Sequence, residues 1–268
     1  MLSKVSNVLV VGMGEVGRAI YGIAKEKYNV IALDVKPKDL DKDVDIMHIC
    51  FPYTEKFIDC AIGYIKRYRP TLTIIESTIL PGTTGRVYEE TKKPLVHSPV
   101  RGTYAKLSWY MRRAVKYVGA FNREDALAAL KYYTSLGLRV KVLNSPIETE
   151  LGKLLDTTYY ALCIAWHQEM KRMCDRFGAD FDQAVTEFNK TYNELYRNYH
   201  PRVARPVLFP GYIAGHCLIA NAKLLKSVYP SKFVELILES NENFEKEHMR
   251  PKEVESNKSR IPDKHVRA

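Results

Sequence analysis

An apolar run, Val8-Leu9-Val10-Val11, breaks into Gly12-Met13-Gly14-Glu15-Val16-Gly17 and leads into an amphipathic stretch. No other segment constrains the fold as tightly. In a strand–turn–helix of the form G-x-G-x-x-G, Gly12 permits the tight turn and Gly14 lets the backbone approach a pyrophosphate. Gly17 lets the helix lie close on the strand. The backbone around Glu15 and Val16 then offers free N–H groups and a positive dipole end to an anion. A second apolar run, Val30–Leu33, ends on Asp34, near the spacing of a ribose-binding carboxylate. Such an acid bonds ribose hydroxyls and repels a 2′-phosphate, which favours NAD over NADP. Lys36 and Lys38 nearby would accommodate that phosphate, so NADP stays an alternative. A glycine turn that binds nothing is the plainer reading, and the complete strand–loop–helix–strand–acid order weighs against it.

Further apolar runs at Asp45–Cys50, Leu72–Glu76, Pro94–His97, Tyr117–Ala120 and Arg139–Leu143 read as strands. Helical patterns at Glu15–Lys27 and Arg123–Leu136 alternate with them, the latter with Asn122 as N-cap and Glu124 and Asp125 in its first turn. This is the α/β pattern of a Rossmann-like, doubly wound parallel sheet. Near Ser145 the period changes. From Ile147 to Phe177 apolar residues recur every three or four positions, predicting one long helix closed by Gly178. A second helix, Asp180–Tyr196, a Pro- and Arg-rich loop, His200–Gly211, and two shorter helices follow. The expected plan is a dinucleotide-binding domain at 1–145, an all-helical domain at 146–249 with a long central helix, and a polar tail at 250–268. An exposed apolar stripe on the long helix would suit a homodimer spine.

With 46% hydrophobic residues among 268, the chain can bury a core, and nothing suggests wholesale disorder. The net charge of +10 admits nucleic acid, an anionic membrane face or small anions. Without a helix-turn-helix, zinc-finger or aromatic stacking signature, nucleic acid is unlikely, and a phosphate-bearing, small anionic substrate explains the charge as well. Met1–Asn7 carries no secretory pattern, and the apolar runs are too short to span a bilayer, so no membrane partner is expected. Five cysteines, Cys50, Cys60, Cys163, Cys174 and Cys217, form no C-x-x-C pair. Neither a metal site nor a disulfide framework is indicated, which fits a reducing, cytoplasmic compartment, with most of the cysteines acting as buried small hydrophobes.

Three later segments add candidate site residues. Asp45–Pro52 and Glu76–Thr84 are apolar strands ending in turns, and loops at the carboxyl ends of parallel strands line the ligand crevice. That places Pro52, Ser77 and Thr78 near a cofactor, although Thr83 or Thr84 would also serve as an ordinary helix cap. Lys153 follows Gly152 early in the long helix and would hold a developing alkoxide or shuttle a proton; alone, it reads as a solvated lysine. In Gly211–Cys217 a glycine loop runs into an apolar helix, so Cys217 stands near a helix N-terminus, where a thiolate is favoured. The competing reading is an inert buried cysteine. The neighbouring His216 is read as a packing residue.

Taken together, Gly12/Gly14/Gly17, Pro52, Glu76-Ser77-Thr78, Pro81-Gly82-Thr83-Thr84, Lys153 and Gly215-His216-Cys217 resemble the UDP-glucose/GDP-mannose dehydrogenase family, from Asn7 to Leu225. The resemblance implies oxidation of a sugar-nucleotide primary alcohol by NAD. Cys217 would form a thiohemiacetal with the aldehyde, Lys153 would stabilise an oxyanion, and Thr78 would help hold a water. The departures are specific. The family's glutamate in N-P-E-F-L is replaced by Val100, its asparagine four residues after the lysine by Thr157, and the first glycine of its cysteine loop by Ala214. Its aspartate four residues after the cysteine is Asn221, an amide that takes no proton from water. The family's third domain would begin where this chain ends, so a short, divergent member is expected. Two alternatives stand beside it: a single-step hydroxyacid dehydrogenase using Lys153, and a non-catalytic NAD-binding protein, for which Val100, Thr157 and Asn221 speak.

Overall fold

The computed structural model describes residues 5–34, 38–41, 43–102, 106–215 and 217–248; Lys36, His216 and the tail at 250–268 lie outside the described residues. The chain divides into two compact units, 1–153 and 154–268.

The first unit holds seven strands: β1 (Asn7–Val11), β2 (Asn29–Leu33), β3 (Ile46–Ile49), β4 (Leu72–Ile75), β5 (Leu95–His97), β6 (Val115–Ala120) and β7 (Arg139–Leu143). They lie in the order β2-β1-β3-β4-β5-β6-β7. The order reverses at β1, whose neighbours on its two sides are β2 and β3, both parallel to it. A crevice therefore opens at the carboxyl ends of β1 and β3. The central strands β1, β3 and β4 are apolar on both faces because helices cover both, while β2 and β7 are edge strands and largely open to solvent. Those helices are α1 (Glu15–Ala24), α2 (Phe57–Tyr68), α3 (Thr83–Thr91), α4 (Leu107–Arg113) and α5 (Arg123–Ser135). Asn122 caps α5, its side-chain oxygen accepting from Asp125 N at 2.8 Å.

The expected parallel sheet is mixed at one point: β6 runs antiparallel to β5. Among its described residues the segment between them carries the short α4 alone, which packs on α1, and the chain re-enters the sheet from the opposite end. Parallel return would need a full crossover. The reversal matters chemically, because it brings Lys116 of β6 beside the carboxyl end of β4.

The long helix is α6 (Pro146–Phe177). Its first turns belong to the sheet unit, and the rest to the second unit. The predicted helix over Asp180–Tyr196 is a π-helical stretch, Asp182–Glu187, continuing into α7 (Phe188–Tyr196). A 3-10 turn at Pro201–Val203, α8 (Leu218–Val228) and α9 (Lys232–His248) complete the helical unit. Its core is Leu154, Ala161, Ile164, Ala165, Ile213, Ala222, Leu225, Val234 and Ile237. Among the described residues no helix is long and apolar enough to cross a membrane. Of the cysteines only Cys50 and Cys174 are buried; Cys60 is exposed, and Cys163 and Cys217 are half-buried, so the expected burial holds for two of the five.

Gly119 on β6 admits the start of α6. A Cβ there would stand 2.5 Å from Ser145 O, 2.7 Å from Pro146 Cα and 2.7 Å from Thr149 Oγ1. Two of these neighbours are backbone, which yields least. Gly119→Ala is expected to destabilise the protein by about 1–3 kcal/mol, read as a lowered urea midpoint at unchanged slope.

Candidate functional site: the sheet crevice and the cysteine loop

The glycine loop does what its sequence requires. A Cβ on Gly17 would lie 1.8 Å from Gly12 O, and one on Gly12, whose φ is +93°, would lie 2.7 Å from Phe51 N. Gly17 thus lets α1 sit on its own loop, and Gly12 lets the ends of β1 and β3 touch. At Gly14 a Cβ would meet nothing within 4 Å and would stand in the open mouth of the turn. Gly14 is the N-cap of α1 and supplies no side-chain cap, so the first-turn amides around Glu15 and Val16 are left for another acceptor. Asp34 follows β2, exposed, and its Oδ1 accepts from Met13 N at 3.2 Å, which holds the carboxylate at the loop. Open glycine mouth, uncapped helix start and tethered acid fit a dinucleotide.

Pro52 is exposed beyond β3, and Thr78 is half-buried beyond β4. The Ser77 hydroxyl donates within the protein, to Phe51 O at 2.6 Å, and so ties the ends of β3 and β4 rather than reaching outward. The Pro81–Thr84 turn has a partner that the spacing did not disclose. Glu150, the fifth residue of α6, accepts from Gly82 N (2.6 Å), Thr84 N (2.8 Å) and Thr84 Oγ1 (2.6 Å). Gly82 has no side chain to cap α3, and a carboxylate from far along the chain does so. Burial pushes the Glu150 carboxyl up, against the pull of those three donors.

Beneath the crevice lies a buried ionic cluster. Glu76 Oε1 accepts from His48 Nδ1 (2.9 Å) and the Tyr133 hydroxyl (2.5 Å); Oε2 accepts from Lys116 Nζ (2.5 Å), which also donates to Ser98 O. Because an ionised carboxylate only accepts, His48 Nδ1 carries a proton, and Nε2 lies 2.8 Å from the Tyr132 hydroxyl. Burial alone would raise the Glu76 carboxyl; Lys116 first and His48 next outweigh it and hold the group at about 2. Motif reading passed over Glu76 as a site member. The available signal was polar residues, His48, Glu76 and Lys116, within or at the ends of otherwise apolar strands.

In the helical unit Cys217 is the N-cap of α8, half-buried, and its carbonyl accepts from Asn221 N at 2.8 Å. Gly215 before it has φ +95°. The preceding loop is pinned from two helices: Gln168 Nε2 donates to Gly211 O (2.7 Å), Ile213 N donates to Asn241 Oδ1 (2.7 Å), and Ser240 Oγ donates to Gln168 Oε1 (2.8 Å). Two of the departures noted above meet here. Asn221 Nδ2 donates to Thr157 Oγ1 at 3.1 Å, both residues being buried, and Thr157 passes its own proton to Leu154 O. Thr157 and Asn221 therefore form one neutral pair. Lys153, the last residue of the sheet unit, is half-buried on α6. Within the described residues no cluster of His, Cys, Asp or Glu is arranged to hold a metal.

The fold is a Rossmann-like α/β unit followed by a helical region. In sequence the chain is distantly similar to UDP-N-acetyl-D-mannosamine dehydrogenases. No family model matches it. It is similar to the UDP-N-acetyl-D-mannosamine dehydrogenase of Methanococcus maripaludis, 27% identical over 195 residues, which are 71% of this chain and 43% of that one. It is also similar to that of Methanocaldococcus jannaschii, 27% identical over 231 residues, 76% of this chain and 52% of that one. The chain thus spans about half the length of the curated relatives it matches. Among solved structures, a UDP-N-acetylmannosamine dehydrogenase from Pyrococcus horikoshii superposes with a TM-score of 0.75 at 21% identity, covering 89% of this chain and 68% of that one. A 3-hydroxyisobutyrate dehydrogenase from Mycobacterium tuberculosis gives 0.69 at 13% identity, covering 91% and 95%. Fold alone suits both dehydrogenase classes.

The Glu76 cluster sets a pH dependence. A carboxyl held below its ordinary value of 4.5 contributes stability above that value and loses it as pH falls toward about 2. Glu76→Gln leaves Lys116 buried without its counter-charge and is expected to cost about 3–5 kcal/mol at pH 7. Glu76→Gln combined with Lys116→Met should lose less. Chemical denaturation of the three proteins from pH 7 to pH 3 checks both points.

Proposed function

We propose that this protein is an NAD-dependent oxidoreductase that oxidises a primary alcohol on an anionic, sugar-nucleotide-like substrate, with Cys217 as covalent catalyst. The observation that carries the reading is the glycine crevice at the β1/β3 reversal, joined in one chain to a pinned glycine–cysteine loop. Gly12, Gly14 and Gly17 with the first-turn amides of α1 would hold a pyrophosphate, Asp34 the adenosine ribose, and the Pro52 and Thr78 turns the other end. Bound there, a nicotinamide dinucleotide supplies a hydride acceptor. Cys217 adds to the aldehyde carbon, Lys153 stabilises the oxygen that becomes negative, and Thr78 orients a water. Asn221 and Thr157 face one another as neutral groups, and Val100 stands where the family resemblance places a glutamate. The first oxidation is accordingly better supported than hydrolysis of a thioester.

A specific observation favours a second reading. The hydroxyisobutyrate dehydrogenase likeness covers nearly all of both chains, and a single-step hydroxyacid dehydrogenase needs Lys153 but no cysteine. We further propose a homodimer along α6. Leu155, Tyr159, Trp166, Met173 and Phe177 are exposed at spacings of four and seven residues, the seam a second copy of the same helix would fill.

Screening nucleotide-sugars and small hydroxyacids for NADH formation tests the activity. One or two NADH per sugar nucleotide, with turnover abolished in Cys217→Ala, is the expected result; turnover on a hydroxyacid untouched by that substitution selects the second reading. In sedimentation, Trp166→Glu is expected to convert dimer to monomer.

A further inference from the structure

His97 lies where the chain departs from the family pattern just before Val100, and it is fully buried at the end of β5. Its Nε2 is 3.1 Å from Ser77 O, and its Nδ1 is 2.7 Å from Thr149 Oγ1. A carbonyl oxygen only accepts, so Nε2 carries the proton. Burial, the largest effect on the ring, lowers its pKa to about 4 and keeps it neutral. Nδ1 is then an acceptor facing the Thr149 hydroxyl, whose one proton is shared between it and Pro146 O, 2.8 Å away. Ser77 in turn donates to Phe51 O. One line of hydrogen bonds thus runs from the end of β3 through β4 and β5 to the first turn of α6.

We propose that His97 is a positioning residue for Lys153, acting through Thr149; this rests on the role given to Lys153 above. Thr149 and Lys153 are four residues apart on α6 and share one face, about 6 Å apart along the axis. The next residue, Glu150, points about 100° around the helix and is fastened separately to Gly82 and Thr84. A helix held at one point pivots, whereas two anchors on different faces fix its rotation. Thr149–His97 is the anchor on the lysine's own face. Without it the α6 backbone persists, and the azimuth of Lys153 relaxes.

The test compares Thr149→Val, which keeps shape but loses the hydroxyl, with Thr149→Ser, which keeps it. It adds His97→Gln, whose amide N–H can replace Nε2 toward Ser77 but leaves no acceptor at the Nδ1 position. Lys153 is labelled with pyridoxal 5′-phosphate, reduced with borohydride and quantified by peptide mass spectrometry against the other lysines in the same digest. We expect a several-fold change at Lys153 alone in Thr149→Val and His97→Gln, and a wild-type rate in Thr149→Ser. With a substrate in hand, kcat should fall on the order of tenfold or more at unchanged KM for NAD. Wild-type labelling in both variants, a shift shared by all lysines, or failure of serine to restore the rate overturns the proposal. Labelling needs neither substrate nor NAD, so a wild-type protein that reduces no NAD counts against the proposed function alone, and labelling still decides the role of His97.

Discussion

A carboxylate sealed in an apolar sheet must find its compensation inside the fold, and Glu76 finds it in Lys116, His48 and Tyr133. These partners come from β3, from β6 and from α5, so one ion pair and its hydrogen bonds join the parallel half of the sheet to the reversed strand. The end of β4 that bears Glu76 also bears Ser77 and Thr78. Whatever the crevice holds, its floor is set by this buried charge.

From that floor the arrangement follows by short links. Ser77 ties β4 to β3, and His97 ties β5 to β4 and to α6. Glu150 completes the P-G-T-T turn by capping α3. Ser77, which motif reading places near a cofactor, ties two strands together here. Gly14, the first-turn amides of α1 and Asp34 remain at the mouth, where ligand chemistry belongs.

Much of this was legible in the sequence, for reasons of local physics. Gly17 is demanded by its near neighbour Gly12 and Gly12 by the positive φ of its turn, and the helix from Ile147 to Phe177 announces itself by its period. Asn122 was readable because an N-cap is a local device. The antiparallel β6 was not, because strand direction depends on how a connection docks: α4 packs on α1 and delivers β6 from the far end. Nor was the Glu76 cluster, whose members lie far apart in the chain and reveal only that apolar strands carry polar residues. The Thr157–Asn221 pair was visible as two separate departures, and only the fold shows that they compensate one another. The π-helical entry to α7 left no mark in the apolar period.

The central claim is that the β1/β3 crevice binds NAD. Calorimetric titration of the full chain with NAD and with NADP tests it most directly, alongside Asp34→Ala. The account predicts saturable NAD binding that exceeds NADP binding, with the preference lost in Asp34→Ala while the protein stays folded. No heat of binding with either dinucleotide, or an NAD affinity indifferent to Asp34, would contradict it.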